Sequence, residues 1–171
     1  MAHSERQIIQ QNSEPGDKDH LAAMRLGELH AAAIEHLRSG QLLKAQSRVK
    51  EAFKLDPESA ESLHLMAVVD VAAGRSDRAI DSASRAIRKD PQPAYLATLG
   101  NALASAGRLD EALRVFDKAI QLKPGDAELW RQMGDALIQA RRNSEALLCF
   151  RRAFELDPGH ADAAYKAGHL L

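Results

Sequence analysis

Four prolines, Pro57, Pro91, Pro124 and Pro158, recur at intervals of 34, 33 and 34 residues, and few folds admit that register. Three further columns keep the same intervals. They are Ala45, Ala79, Ala112 and Ala146; Ala52, Ala86, Ala119 and Ala153; and Gly40, Gly74 and Gly107, a column that ends in Arg141. A period of this length marks one supersecondary unit repeated along the chain. No such unit can bury its own apolar faces, so stability has to come from stacking on its neighbours.

Each unit reads as two amphipathic helices and a turn. In the third, Leu96, Leu99, Gly100 and Leu103 mark one face of a first helix. Gly107 ends it where a left-handed residue costs nothing. Leu109, Ala112, Leu113, Phe116, Ala119 and Ile120 then form the stripe of a second helix, which Pro124 stops because it cannot extend the hydrogen-bond ladder. Small residues (Ala33, Ala67, Gly100, Gly134, Gly168) recur where helices must touch. Bulky ones fill the spaces between: Leu29, Leu63, Leu96 and Trp130, then Val49, Phe116 and Phe150, with Ala83 breaking the second column.

The fourth unit, Trp130-x2-Met133-Gly134-x2-Leu137 … Ala146-x3-Phe150 … Pro158, closely resembles the tetratricopeptide-repeat signature, and the third unit follows it. The repeats fall at 26–59, 60–92, 93–126 and 127–160, within one domain spanning 17–171. A polar tail precedes it at 1–16, and 161–171 begins an extra helix. The resemblance implies an all-α, right-handed superhelical solenoid whose first helices line a concave groove. It implies a protein-binding scaffold, and says little about the partner. Carried across, the groove takes in His30, Ile34, His64, Leu65, Val68, Thr98, Asn101, Arg131, Gln132, Asp135 and Lys166. The clamp of Lys, Arg and Asn that holds carboxylate tails in some relatives has no counterpart at His30, Ile34, Leu65, Ala94 and Thr98. What remains is an apolar stretch (Ile34, Leu65, Val68), expected as the main partner site, beside a polar stretch of mixed charge.

Composition excludes other classes. A net charge of −1 without a basic cluster argues against nucleic acid. No apolar run is long enough to cross a bilayer, and residues 1–20 hold no secretory core, so the expected compartment is the cytoplasm and no membrane partner is expected. The single cysteine, Cys149, sits in an apolar helical stretch and reads as a packed side chain. Seven histidines are scattered without a third ligand at helical spacing, so no metal site is expected. Phosphate loops and hydrolase or metalloprotease motifs are absent, so neither a catalytic residue nor a cofactor is expected, and the chain reads as a non-enzyme. Two alternatives stand beside the scaffold. One is a targeting arm of a glycosyltransferase- or sulfotransferase-like enzyme continuing past Leu171, which the apolar ending Leu170-Leu171 suggests. The other is a homo-oligomeric module assembling through the N-terminal tail or the C-terminal helix.

Repeat 2 departs from the pattern. Asp70 stands where other repeats have His36, Leu103 and Leu137, Ala83 replaces a bulky residue, and Lys89 replaces a leucine. The junction Pro91-Gln92-Pro93 is one residue short. Tolerated drift and a weak seam between repeats 2 and 3 both fit. At the N-terminus Pro15-Gly16 reads as a break and Asp17 as a helix cap, with Ile8-Ile9 able to fold back on the array.

Overall fold

The computed structural model describes residues 15–159 together with Tyr165, Lys166 and Gly168, with side chains from His20 onward. Among these residues there are eight helices and no strands. They pair as α1 (Pro15–Arg38) with α2 (Leu42–Leu55), α3 (Ala60–Ala72) with α4 (Ser76–Lys89), α5 (Pro93–Ser105) with α6 (Leu109–Leu122), and α7 (Ala127–Gln139) with α8 (Asn143–Leu156). Of the extra helix expected at 161–171, Tyr165, Lys166 and Gly168 are helical and the rest lies outside the described residues, as does Ile8-Ile9. The chain divides into two compact units, Met1–Pro57 and Glu58–Leu171.

The turn inside each pair is dictated by one residue. Gly40, Gly74 and Gly107 have φ of 70°, 71° and 75°, and Arg141 is forced into the same left-handed region at 59°. In this turn the chain folds back on its helix end. Gly74 donates to the Val71 carbonyl at 3.0 Å and Arg75 to the Asp70 carbonyl at 2.8 Å, closing off the last carbonyls of α3. An L-residue with a Cβ is strained there, and a Cβ on the column's glycines would meet nothing within 4 Å. Arg141→Gly is therefore expected to raise stability by up to about 1 kcal/mol, read as a higher urea midpoint. A lower midpoint would mean that the arginine side chain contributes more than its backbone strain costs.

In the first unit, Leu29 and Ala33 of α1 and Ala45, Val49 and Ala52 of α2 are buried. Here the structure corrects the sequence reading: α1 already includes Pro15 and Gly16, so no break falls between them and Asp17. Proline fits a first helical turn because its missing N–H would have no partner there.

In the second unit, α3 is capped by Ser59, whose hydroxyl accepts from the Ser62 N–H at 3.1 Å. α7 is capped by Asp126, which accepts from the Glu128 N–H at 3.1 Å, and α5 starts on Pro93. The core between repeats 3 and 4 gathers Leu103, Leu113, Phe116, Leu137, Ala146 and Phe150. Within a pair, the small residue of the first helix is matched to the residue 16 positions later. Cβ atoms built on Gly100 and Gly134 would lie 2.8 Å from the Phe116 ring and 2.6 Å from the Phe150 ring. Repeat 2 has Ala67 and Ala83 at these two places, both fully buried, so Ala83 is half of a smaller matched pair.

Asp70 is likewise no random departure. It is 2% exposed and accepts from Arg75 Nε at 2.6 Å, with Arg78 Nε at 3.6 Å. In repeats 3 and 4 the residues aligned with Arg75, Arg108 and Arg142, pair instead with Glu111 and Glu145 on the surface, at 2.7 Å. Repeat 2 carries Arg78 at that glutamate position and has its acid inside. The seam between repeats 2 and 3 holds a Tyr95-to-Glu61 hydrogen bond at 3.0 Å, a His64–Thr98 hydrogen bond at 3.1 Å and a His64–Tyr95 ring contact at 4.5 Å. Lys89, at the end of α4, closes on Glu58 in the turn before α3. These contacts argue against a weak seam.

Candidate functional site

The first helices of the second unit, α3, α5 and α7, line a concavity of about 390 Å³. Pro93, Ala94, Ala97 and Leu129 supply its apolar lining, and His64, Thr98, Asn101 and Gln132 bring polar groups from all three helices. The helical period sets this up. Residues three and four apart share a face, so one side of each first helix points into the groove while the other packs on its second helix.

A chain of polar contacts runs along this surface. Asn101 Nδ2 donates to Gln132 Oε1 at 3.2 Å, and Gln132 Nε2 donates to Glu128 Oε1 at 2.7 Å. Arg131 grips Glu128 at 2.7 and 2.5 Å and Asp135 at 2.6 Å. Lys166 then reaches Asp135 at 2.7 Å, its ammonium also 5.8 Å from the Phe150 ring centroid. Five of the side chains expected in the groove, Asn101, Gln132, Arg131, Asp135 and Lys166, thus join one network. Sequence reasoning missed its hub, Glu128, although the spacing 128, 131, 132, 135 places all four on one face of α7.

His64 and Thr98 form a second group. The Thr98 hydroxyl donates to the Ala94 carbonyl at 3.1 Å, so its oxygen accepts from His64 Nε2. That places a ring proton on Nε2 and leaves the buried Nδ1 without a hydrogen-bond partner. Burial holds the imidazole below its usual range, opposed by the nearby Glu61 carboxylate. The Tyr95 hydroxyl is pushed up to about 12 by burial and then by Glu61. The sign of the histidine effect follows from linkage. The unfolded chain takes up a proton that the folded site resists, so stability is full above about 6.5, the ordinary histidine value, and is lost as the pH falls below it. Thermal melts at about pH 7.5 and about pH 5.5 should show a larger drop for the wild type than for His64→Phe; equal drops would remove His64 as a source of acid sensitivity.

The apolar stretch does not take the form expected. Leu65 is 3% exposed, while Val68 is half-buried, as are Ile34 and His30 on α1 of the first unit. Leu65 is therefore packed and not open to a partner. Helix α3 carries apolar residues on nearly every side, with Leu63, Leu65 and Val69 all buried, so its sequence does not mark which side faces water. Cys149 is buried too, its thiol pushed up to about 11 by burial and then by Glu145, which keeps it protonated and unreactive at neutral pH. Among the described residues no group of three metal-ligating side chains is found, and no helix is long and apolar enough to cross a membrane.

Comparison with known proteins agrees with the repeat register. Two sequence models described as tetratricopeptide repeat match residues 64–127 and 103–169. The chain is 31% identical over 117 residues to small glutamine-rich tetratricopeptide repeat-containing protein 2 of Mycosarcoma maydis, covering 67% of this chain and 32% of that protein. It is 30% identical over 112 residues to the photosystem I assembly protein Ycf3 of Synechococcus sp. (strain CC9605), covering 53% of this chain and 65% of that one. It thus spans about a third and just under two thirds of these relatives' lengths. Among solved structures it resembles YrrB, described as a TPR protein with an unusual peptide-binding site, with a TM-score of 0.60 and 29% identity over 81% of this chain and 72% of that one. Four helix pairs in one register, with two overlapping repeat matches that jointly take in more than half of the sequence, lead to one assignment: the chain belongs to the tetratricopeptide-repeat family.

Proposed function

We propose that this protein is a non-catalytic interaction scaffold that holds an extended peptide or a helix of a partner protein against α3, α5 and α7. The observation that carries this reading is the concavity of about 390 Å³ lined by three successive first helices, where Asn101 of α5 and Gln132 of α7 offer groups able to bond a peptide amide. Asn101 and Gln132 can each donate and accept. The open part of the apolar lining, Pro93 and Ala94, gains from being covered. Interaction scaffolding is the usual role of the family, and the likeness to a peptide-binding relative supports the same use here. The partner surface lies at the polar part of the groove, since Leu65 is already buried.

The test is the double variant Asn101→Ala/Gln132→Ala. It removes two half-buried polar groups from the groove and leaves the helix-packing columns untouched. Loss of partner capture from the native cell extract, with circular dichroism and melting preserved, is the expected result. Capture at wild-type level would move the binding surface elsewhere.

A further inference from the structure

We infer that the groove between α5 and α7 selects a partner segment bearing an arginine side chain. This inference rests on the peptide-binding reading above and adds the chemistry of the residue recognised. Three observations carry it.

The first is charge. The concavity is lined by Asp126 and Glu128 against a single cation, Lys123, and the neutral His64 adds no positive charge. Glu61 and Asp90 stand close enough to act on the neighbouring Tyr95 hydroxyl, adding to the negative potential on that side. Among the described residues, the cations on or beside the groove are closed against carboxylates: Lys123 on Asp126 at 2.9 Å, Arg131 on Glu128 and Asp135, and Lys166 on Asp135. A partner carboxylate would have to break one of these pairs and would meet a surplus of negative charge. A partner cation has only to displace the exposed Lys123 from Asp126, and the remaining negative charge favours it.

The second is the ease of exchange at Asp126. The Lys123 side chain that holds it is 63% exposed, so its ammonium can return to water at little cost when a stronger donor arrives. A guanidinium presents a planar fork that fits a carboxylate with two parallel bonds, which an ammonium cannot do. Asp126 stays in place throughout, because its other oxygen caps α7.

The third is shape. The concavity also offers Pro93 and Ala94 as open apolar wall, on which the methylene stem of an arginine can lie while its head reaches polar groups. A volume of about 390 Å³ admits that side chain together with a short stretch of backbone.

The experiment is a nuclear magnetic resonance titration of the full chain with three short peptides of Gly, Ser and Ala. They are identical except for a central arginine, citrulline or glutamate, and the side-chain amides of Asn101 and Gln132 report groove occupancy. The arginine peptide is expected to bind about tenfold more tightly than the citrulline peptide, and the glutamate peptide least. Asp126→Asn, which preserves the helix cap, should reduce the arginine preference severalfold without changing the fold. Lys123→Ala should strengthen it. If arginine and citrulline peptides shift the amides equally, or glutamate wins, the groove binds peptide and the arginine selection is wrong. If no peptide shifts either amide, the peptide-binding reading falls with it.

Discussion

Gly134→Ala should destabilise the protein by about 2 kcal/mol, even though alanine is the better helix former by about 1 kcal/mol. The added methyl would sit 2.6 Å from Phe150 Cε1 and 2.8 Å from Cζ, inside the distance any carbon tolerates. The ring cannot step aside. Phe150 is fully buried among Leu103, Ala112, Leu137 and Ala146, so α7 must lift off α8 or the ring must leave its rotamer. Gly134→Leu should cost still more. The diagnostic measurement is a double-mutant cycle by urea denaturation. In a Phe150→Leu background the clash is gone, and Gly134→Ala should become neutral or stabilising by up to about 1 kcal/mol. Repeat 2 already uses the relaxed solution in its Ala67 and Ala83 pair. An unchanged penalty in both backgrounds would show that the glycine is needed for some reason other than the ring.

The second large effect is expected at the buried carboxylate of repeat 2. Arg75→Ala should cost about 3 kcal/mol, because it leaves the Asp70 charge almost wholly out of water. Arg78, 63% exposed and 3.6 Å away, compensates only in part. By contrast, Asp70→Leu combined with Arg78→Glu rebuilds the arrangement of repeats 3 and 4, an apolar side chain inside and an Arg–Glu pair outside. That double replacement should be neutral or stabilising by about 1 kcal/mol, since a packed leucine matches or exceeds a buried ion pair. Thermal and chemical unfolding of the two variants separates these outcomes. A loss under about 0.5 kcal/mol for Arg75→Ala would mean that the pair is hydrated and weak.

These two sites also show where sequence reading stopped. Asp70, Ala83 and Gly134 were each legible as members of a column, but columns compare equivalent positions in different repeats. The energetic unit is a pair of positions within one repeat, 67 with 83, 134 with 150, 70 with 75. Ala83 read alone is a defect; read with Ala67 it is one setting of a matched volume. Asp70 read alone is a polar intruder, and beside Arg75 and Arg78 it is an acid moved inward from the place Glu111 and Glu145 hold on the surface.

The groove follows the same division. Helix register put Thr98, Asn101, Arg131, Gln132 and Asp135 on first helices, and the structure joins all but Thr98 into one network with Glu128 and Lys166. Leu65 was misplaced, because a helix as apolar as α3 gives no sequence cue to which side faces water.

The sequence by itself determined the repeat and its period, the ends of the helix pairs, the left-handed turn that Arg141 shares with three glycines, and the family. Each of these depends on local sterics or on spacing along one chain, and both are written in residue order. Tertiary structure alone decided that Leu65 is buried, that Asp70 is neutralised from across a turn, and that Glu128 rather than an apolar patch organises the groove. Those outcomes depend on what neighbouring helices bring within about 4 Å of a side chain, and burial and electrostatic pairing are properties of that proximity, which no single stretch of sequence contains.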